Sequence, residues 1–456
     1  MFWRRPPRRP LSARQRVDLE LLLRRTVETI GHSTAHSAQW VTDIAQLEID
    51  RSSDQSIVAS ANLAVIERLP RVDTLPLVKI VATDEIDGMS DYIIAQEASN
   101  DASQAAAEAT IVINQELLSD PLRLVMELAN QHALHFWHQV EPKHPLDTTP
   151  LTTHLLPICS GFGFLASDAS LYDSQWSLVG YSGWTLSRSG YYSAQEIGYA
   201  IATLAGEPNA LPRNWLERLR ADSSETAATV LRHQEQNPHA ETLFNARQIP
   251  SSRCDDQQLL TWLSGDSPDF ALAAMEALLL KDRPICNAEA ATLELSRSKD
   301  ASIVHTSIKL LAKLASPSSL VSDRIHHLIK HRDLAIAIEA IHSAVKLDLP
   351  LDTHTKRISR MIRRLERYGQ LLLNSLAETK VALPPMVPVL CEQLDLAVRD
   401  GTESEWLISL FKCLGTHTIS PEQAIDQHCK QKEEVLRALQ SAKAQIASVS
   451  TRQTSA

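Results

Sequence analysis

The first half of the chain alternates helical patterns with short apolar segments of the β type. Apolar residues recur at helical spacing over 12–30, which predicts one amphipathic helix. Three later segments rich in Val and Ile predict a small sheet of three or four strands. These segments are 75–82, 91–95 and 109–114. Asp120 then supplies a helix cap and Pro121 a first helical residue, and the predicted helix runs to about His138.

The segments after this helix carry weaker patterns. The Pro- and Thr-rich stretch 139–153 is predicted as a loop, and apolar residues resume over 155–166. Ser193 and Glu196 have the spacing of a capping box, which predicts a helix that ends near 205.

From about residue 257 the pattern changes to paired helices at a regular interval. Three helix starts each end in an aspartate, a residue type that favours helix capping. They are Ser267-Pro268-Asp269, Ser298-Lys299-Asp300 and His331-Arg332-Asp333. The positions three, eight and eleven residues after each aspartate fall on one helix face, and all are apolar. These positions hold Leu272, Ala277, Leu280, Ile303, Ile308, Leu311, Ile336, Ile341 and Ala344.

An interval of roughly 31–35 residues with two helices per unit is typical of an α-solenoid. The array resembles HEAT repeats, although its period is short for that family. Weaker starts near 368 and 403 extend it, and the polar stretch 421–446 is predicted as one long capping helix. The alternative is an irregular helical domain in which the spacing is fortuitous.

Composition narrows the class of protein. A hydrophobic fraction of 44%, aromatic residues at 5% and only 13 glycines favour a mostly helical globular chain over a β-sandwich. The formal net charge of −10 disfavours a general nucleic-acid binder. The six cysteines include no CxxC pair, which argues against a zinc ribbon or a disulfide framework and favours a reducing compartment.

The N-terminal residues MFWRRPPRRP carry an arginine cluster. A charged helical pattern follows it instead of the apolar core of a signal peptide, and no apolar run is long enough to span a bilayer. A cytoplasmic protein without a transmembrane segment is therefore expected. The cluster is expected to be a disordered, solvated tail, and contact with a membrane surface or an acidic partner is the alternative.

One stretch, LANQHALHFW at 128–137, has the setting of an enzyme motif. In zinc metallopeptidases of the zincin type, a HExxH motif on such a helix places two zinc-binding His one turn apart. The Glu between them activates the metal-bound water.

This region resembles an uncharacterised bacterial family of zincin-like proteins in the order and spacing of several short pieces. The matching pieces are Ile111-Val112-Ile113, Leu118-Ser119-Asp120-Pro121, Leu124-Val125, Leu128-Ala129, Gly161-Phe162-Gly163-Phe164-Leu165-Ala166 and the segment GYYSAQEIGYAIA at 190–202.

The chemical positions of that family are all altered. Asn130 stands at the first metal His, Gln131 at the catalytic Glu and Leu134 at the second metal His. Counted back from Gly161, His154 stands at the third-ligand Asp. Gln cannot take a proton and Leu cannot bind a metal. The resemblance therefore implies a zincin fold without catalytic residues, with zinc not expected.

The expected architecture is an α+β zincin-like domain followed by an all-α HEAT-like solenoid. The predicted boundaries are a disordered basic tail at 1–15, the zincin-like domain at 16–206, a linker or helical connection at 207–256, the repeats at 257–446 and a disordered tail at 447–456.

The preferred function is a non-catalytic pseudo-metallopeptidase that binds a protein or peptide partner through the solenoid surface. The cleft in which a zincin holds its substrate is a further place where a peptide is expected to bind without being cut. An active metalloenzyme with a rebuilt metal site is the alternative, using His132, His135, His138 or His154. A purely structural scaffold is the third possibility.

The basic run KRISRMIRRLER at 356–367 is the strongest local charge feature. It is expected to be one solvated face of a repeat helix. A docking face for an acidic partner is the alternative.

Overall fold

The structure is a computed structural model. The chain folds into two compact units, Met1–Ile249 and Pro250–Ala456. The described residues are 10–82, 85, 89–94, 109–140, 150–178, 181–188, 191–205, 211, 214–238, 240–363, 369–379, 382–400 and 404–453. The arginine cluster at 1–9 lies outside them. The protein is mostly helical with a small three-stranded sheet, as predicted. No described helix is both long and apolar enough to cross a lipid bilayer.

The first unit contains eight α-helices and two sheets among its described residues. The helices are α1 (Ala13–Ile30), α2 (His32–Ser37), α3 (Asp54–Ile66), α4 (Pro121–Val140), α5 (Pro150–Pro157), α6 (Gly163–Ala169), α7 (Ala194–Ala205) and α8 (Ala221–Gln236). The strands are β1 (Leu77–Val81), β2 (Ser90–Ile94), β3 (Ala109–Asn114), β4 (Leu171–Leu178) and β5 (Tyr181–Arg188).

Strand β3 lies in the centre of the three-stranded sheet, in the order β1-β3-β2. It pairs parallel with β1 and antiparallel with β2. Its Ile111 and Ile113 are fully buried, as the apolar sequence of a central strand requires. Helix α4 packs against β2 and β3, so the sheet supports the helix on which the candidate chemistry lies.

The N-terminal helix begins earlier than the predicted end of the disordered tail at residue 15. Ser12 caps α1, and Ser12 and Gln15 form a reciprocal capping box. Leu11 and Ala13 are buried in the core. The tail prediction was therefore wrong for residues 11–15, because a local cap and two apolar contacts fix them.

Two further segments differ from the sequence prediction. Helix α5 begins at Pro150, inside the stretch predicted as a loop. A β-hairpin of β4 and β5 occupies 171–188, where no strand was predicted; Leu171 pairs with Arg188 and Leu178 with Tyr181. Strand pairing across a hairpin stabilises segments whose own sequence gives little β signal.

Two glycines allow close packing in this unit. Gly161 has φ +99, and a Cβ there would lie 2.4 Å from the carbonyl oxygen of Gln39. At Gly198 of α7, a Cβ would lie 2.2 Å from the carbonyl oxygen of Ser223 in α8. Helix α8 therefore packs directly on α7, and most of the predicted connection 207–256 belongs to the first unit.

The second unit is entirely helical among its described residues, apart from short 3₁₀ turns and one isolated β-bridge. Its helices are α9 (Asp256–Leu263), α10 (Pro268–Leu279), α11 (Glu289–Leu295), α12 (Ala301–Leu311), α13 (Ser319–Leu328), α14 (Leu334–Lys346), α15 (Thr355–Ile362), α16 (Gly369–Ala377), α17 (Val387–Arg399), α18 (Ser404–His417), α19 (Pro421–His428) and α20 (Lys432–Gln453).

Five helices of this unit form a row. Helices α10, α12, α14, α16 and α18 contact one another in sequence. Asp300 and Asp333 cap α12 and α14 through their side chains, as predicted. Asp269 is instead a buried residue inside α10, which begins after Ser267.

Eight of the nine residues on the predicted apolar face are buried, and Leu280 is the exception. It is 72% exposed because α10 ends at Leu279 and the chain turns away. The single capping helix predicted for 421–446 is also wrong. The chain breaks into α19 and α20 around Cys429, and α20 continues to Gln453, beyond the predicted start of a disordered tail.

Candidate functional site

Helix α4 carries Asn130, Gln131 and Leu134, and local capping sets where it starts. The Asp120 carboxylate accepts a hydrogen bond from the backbone N–H of Arg123 at 3.2 Å. This contact satisfies one of the donors that every helix leaves unpaired in its first turn. The predicted helix start is therefore reproduced in atomic detail.

Asn130 and His154 line the same small cavity, to which α4, α5, α6 and α7 all contribute. The cavity has a volume of about 40 Å³. A drug-sized ligand needs roughly 300–1,000 Å³, whereas one water molecule occupies about 30 Å³ in the liquid. The space between these residues therefore accommodates a water molecule and is too small for a peptide. Its polar lining also includes Arg123, Glu127, Tyr191 and Tyr192.

The cavity presents an unsatisfied acceptor beside a neutral imidazole. Asn130 is only 9% exposed, and its Oδ1 has no hydrogen-bond partner among the described residues. Burial lowers the pKa of His154 to about 4, so its ring is uncharged near neutral pH. The ring of Tyr191 meets that imidazole edge-on, with centroids 4.9 Å apart.

Gln131 belongs to a hydrogen-bonded chain that joins α4 to β2. Its Nε2 donates to Ser90 Oγ at 2.7 Å, and Ser90 Oγ donates to Glu127 Oε2 at 2.8 Å. Burial raises the pKa of Glu127, and the bond from Ser90 and the charge of Arg123 oppose that shift. At this position Gln131 acts as a hydrogen-bond donor that holds Ser90, and through it Glu127, in place.

Leu134 is partly exposed and does not belong to the lining of the cavity that holds Asn130 and His154. Residues four apart on a helix are separated by about 6 Å along its axis. A cavity of this size therefore reaches the first position and not the second. The structure brings together two of the four altered positions and connects Gln131 to the same wall through Glu127.

The histidines considered for a rebuilt metal site point to different partners. His132 Nε2 lies 2.6 Å from Asn62 Oδ1 on α3, and burial is the main reason its pKa falls to about 4. His135 Nε2 lies 2.7 Å from the carbonyl oxygen of Thr74, and its Nδ1 lies 2.7 Å from the Tyr92 hydroxyl. Gln139 Nε2 lies 2.8 Å from the same His135 Nε2, so both ring nitrogens already have protein partners.

His138 is exposed and stacks on Tyr92, with ring centroids 5.5 Å apart. Partial burial, and then the neighbouring His135, lower its pKa. His135 and His138 thus share Tyr92 as a partner, whereas His132 contacts Asn62 and His154 contacts Tyr191. In the part of the chain that the structure describes, no three His, Cys, Asp or Glu side chains are grouped so as to hold a metal ion.

No family model, curated protein or solved structure matches the chain.

A larger concave surface lies on the second unit, across α12, α14 and α16. This groove, which we call the repeat groove, has a volume of about 830 Å³. Its lining is Leu279, His305, Lys309, Ala312, Lys313, Ala335, Ile338, Glu339, His342, Ser343, Lys346, Asn374, Ser375 and Glu378. The volume falls in the range of established ligand sites.

Charged side chains of the repeat groove contact one another across neighbouring helices. Glu339 on α14 lies 3.4 Å from His305 Nε2 and 4.0 Å from Lys309 Nζ, both on α12. His342 Nδ1 lies 2.9 Å from Ser375 Oγ on α16. These contacts hold the floor of the groove in place and leave Lys346 and Glu378 exposed at its rim.

The sequence contains a signal for the repeat groove that the apolar pattern alone missed. The positions nine residues after Asp300 and Asp333 hold Lys309 and His342, and both line the groove. The positions thirteen residues after them hold Lys313 and Lys346, which also line it. Polar residues at matched positions of successive repeats would have indicated this surface.

Proposed function

We propose that this protein is a non-catalytic, partner-binding protein that holds a protein or peptide segment in the repeat groove. The observation that carries this proposal is the groove itself, which combines apolar floor residues such as Ala335 and Ile338 with a charged rim. Stacked helix pairs commonly use such extended concave faces to bind partners. Interfaces with an apolar centre and a polar rim suit peptide segments.

The same proposal takes the first unit as a zincin-like scaffold without peptidase activity. A strand followed by a capped helix, with Asn130 and His154 at one cavity, supports it. Gln131 cannot act as a general base, and the cavity is too small for a peptide. The second unit, HEAT-like in this proposal, then provides the binding surface of the protein.

The test compares capture by the full-length chain and by matched variants. The wild type, a groove variant (Lys309→Glu with Lys346→Glu) and a control variant (Lys299→Glu with Lys430→Glu) are immobilised and exposed to lysate. The control lysines are exposed, carry the same charge and do not line the groove. We expect a specific protein that the wild type and control retain and the groove variant loses.

A segment of the captured protein is then synthesised and its affinity measured for all three chains. Direct binding that falls at least tenfold for the groove variant alone supports the proposal. Equal peptide affinity for the groove variant and the control variant would contradict the proposal. Circular dichroism of each chain shows whether a lost interaction reflects lost folding.

A further inference from the structure

Helices α13 and α15 of the second unit, with the turn after α13, carry several exposed cations. Arg357 Nε donates to the carbonyl oxygen of Ile329 at 2.7 Å, and another nitrogen of its guanidinium donates to the carbonyl of His331. This side chain therefore joins the start of α15 to the end of α13. The charges of Lys330 and Arg357 both act on His354, the residue before α15, so Lys330 lies near the start of that helix.

Three side chains define what we call the basic ridge: Lys330, Lys356 and Arg360. All three are exposed. None has an ion-pair partner among the described residues. Lys356 and Arg360 lie one turn apart on the same face of α15, where like charges repel unless an anion lies between them.

The acidic residues on and beside α13 and α15 do not neutralise the positive charge of the basic ridge. Asp323 on α13 and Asp352 in the turn before α15 are exposed and form no ion pair among the described residues. Arg363, the residue after α15, differs because Glu392 pairs with it at 2.9 Å. The positive charge of the ridge is therefore available to a partner.

A pair of histidines lies against the ridge. His326 Nδ1 and His354 Nε2 are 3.0 Å apart, and the rings stack with centroids 5.2 Å apart. Burial, and then the charges of His326, Lys330 and Arg357, lower the pKa of His354. A hydrogen bond between two ring nitrogens survives the gain of one proton, because an imidazolium can donate to a neutral imidazole. It does not survive a second proton.

We propose that the basic ridge binds a protein segment rich in Asp and Glu, and that this binding is coupled to the uptake of one proton by the His326–His354 pair. The site is separate from the repeat groove, whose lining includes none of these residues. Carboxylates placed against Lys330, Lys356 and Arg360 supply the missing counter-charge. The same carboxylates favour the charged form of the adjacent imidazoles.

A carboxylate-rich segment fits this surface better than a nucleic acid does. Neither α13 nor α15 contains a Phe, Tyr or Trp on which bases could stack, and the His354 ring is buried. The net charge of −10 also opposes the approach of a long polyanion, whereas a short acidic segment needs only the local cluster.

The test measures binding of a fluorescent peptide made of Glu and Ala to the full-length chain by anisotropy at low salt. Lys356→Glu with Arg360→Glu is the test variant, and Lys299→Glu with Lys430→Glu is the control of equal charge. We expect about tenfold or greater weakening for the test variant and little change for the control. A third variant that exchanges the two cations, Lys356→Arg with Arg360→Lys, keeps both positive charges and should bind the peptide as the wild type does.

The coupling to proton uptake is tested by repeating the peptide-binding measurement on the wild type between about pH 8 and pH 6. In this range Glu stays ionised and His titrates. We expect affinity to rise as pH falls, by at most tenfold per unit for one proton. His326→Gln should flatten this dependence. His326 is only half-buried, and NMR titration of the wild-type imidazoles with and without peptide gives the same answer should the variant fail to fold.

Three outcomes would overturn the proposal. Equal peptide affinity for the test and control variants would show that the ridge is not the site. Tighter binding of single-stranded RNA with the same number of charges would make the surface a nucleic-acid site. A wild-type affinity independent of pH would remove the coupling to the histidine pair.

Discussion

Arg324 and Arg357 make the same contact in successive helix pairs of the second unit. Each guanidinium donates to the last carbonyl of a helix that lies 28 residues earlier, Ser296 for Arg324 and Ile329 for Arg357. Ser296 and Ile329 are the C-terminal cap residues of α11 and α13. Carbonyls at a helix end have no partner within the helix. In these two places an arginine therefore pairs with a buried carbonyl at the end of the helix two before its own.

Replacing Arg357 by Ala should destabilise the array. The carbonyls of Ile329 and His331 lose a charged donor, which costs about 1–3 kcal/mol. Arg363→Ala is the matched control, since Arg363 is 48% exposed and its ion pair with Glu392 contributes about 1 kcal/mol or less. Urea unfolding of both variants checks this; equal midpoints would mean that the contact between repeats has no stabilising effect.

Aspartate should be tolerated at Leu280 and not at Ile303. Ile303 is 2% exposed, and an unpaired charge there should cost several kcal/mol or prevent folding. Leu280 is 72% exposed, so Leu280→Asp should change stability by about 0.5 kcal/mol or less. Thermal melts followed by circular dichroism measure both. A stable Ile303→Asp protein would contradict the packing described for α12.

Two helical glycines should respond oppositely to alanine. Gly198→Ala places a methyl group 2.2 Å from the Ser223 carbonyl oxygen, so α7 and α8 must separate and stability should fall by about 1–3 kcal/mol. At Gly415 in α18 the nearest atom is 3.6 Å away. Alanine there should stabilise the helix by up to about 1 kcal/mol. Denaturant midpoints compare the two; a neutral Gly198→Ala would refute the close contact.

His132 should make the first unit less stable as pH falls. Its pKa is about 4 in the folded protein against about 6.5 when exposed, so unfolding takes up a proton below pH 6.5. The free energy of unfolding is therefore unaffected by His132 above pH 6.5. It falls as the pH drops from 6.5 toward 4, by up to about 3 kcal/mol in total.

The measurement for His132 is the stability of wild type and His132→Gln at several pH values. The glutamine variant should show a weaker loss on acidification, and an exposed control, His428→Gln, should follow the wild type. Parallel curves for all three proteins would show that His132 does not account for the acid sensitivity.

A metal site should be easier to build at Asn130 than at Leu134. Asn130→His places an imidazole at the cavity that Glu127 and His154 already line, which gives three groups of the kind zinc binds. Leu134→His adds the same side chain outside that lining. Elemental analysis after zinc dialysis should show more metal in Asn130→His than in Leu134→His or wild type. Equal contents would mean that the three positions do not converge.

Local interactions explain which features the sequence predicted well. Asp300 and Asp333 cap their helices, and Ser193 accepts from Glu196 N–H while Glu196 accepts from Ser193, because caps involve residues within one helical turn. Strand β3 was equally clear, since its run of buried β-branched residues suits a central strand. Each of these signals is contained in about six neighbouring residues.

Long-range contacts explain the features that the sequence missed. The break between α19 and α20 depends on Asp395 of α17, whose carboxylate accepts from the N–H groups of Lys430 and Gln431 at 2.7 and 3.1 Å. The packing of α8 depends on Gly198, which is distant along the chain. Neither pattern is visible in the residues of the element itself.

The sequence by itself determined the starts of α4, α12 and α14 and the residues of the central strand, because capping hydrogen bonds and strand burial depend on a few neighbouring residues. Only the tertiary structure decided that Asn130 shares a cavity with His154 while Leu134 does not, and that Arg357 of α15 meets the end of α13. Cavities and charged surfaces are formed by segments far apart in sequence. Their geometry depends on how whole helices pack, which no local pattern specifies.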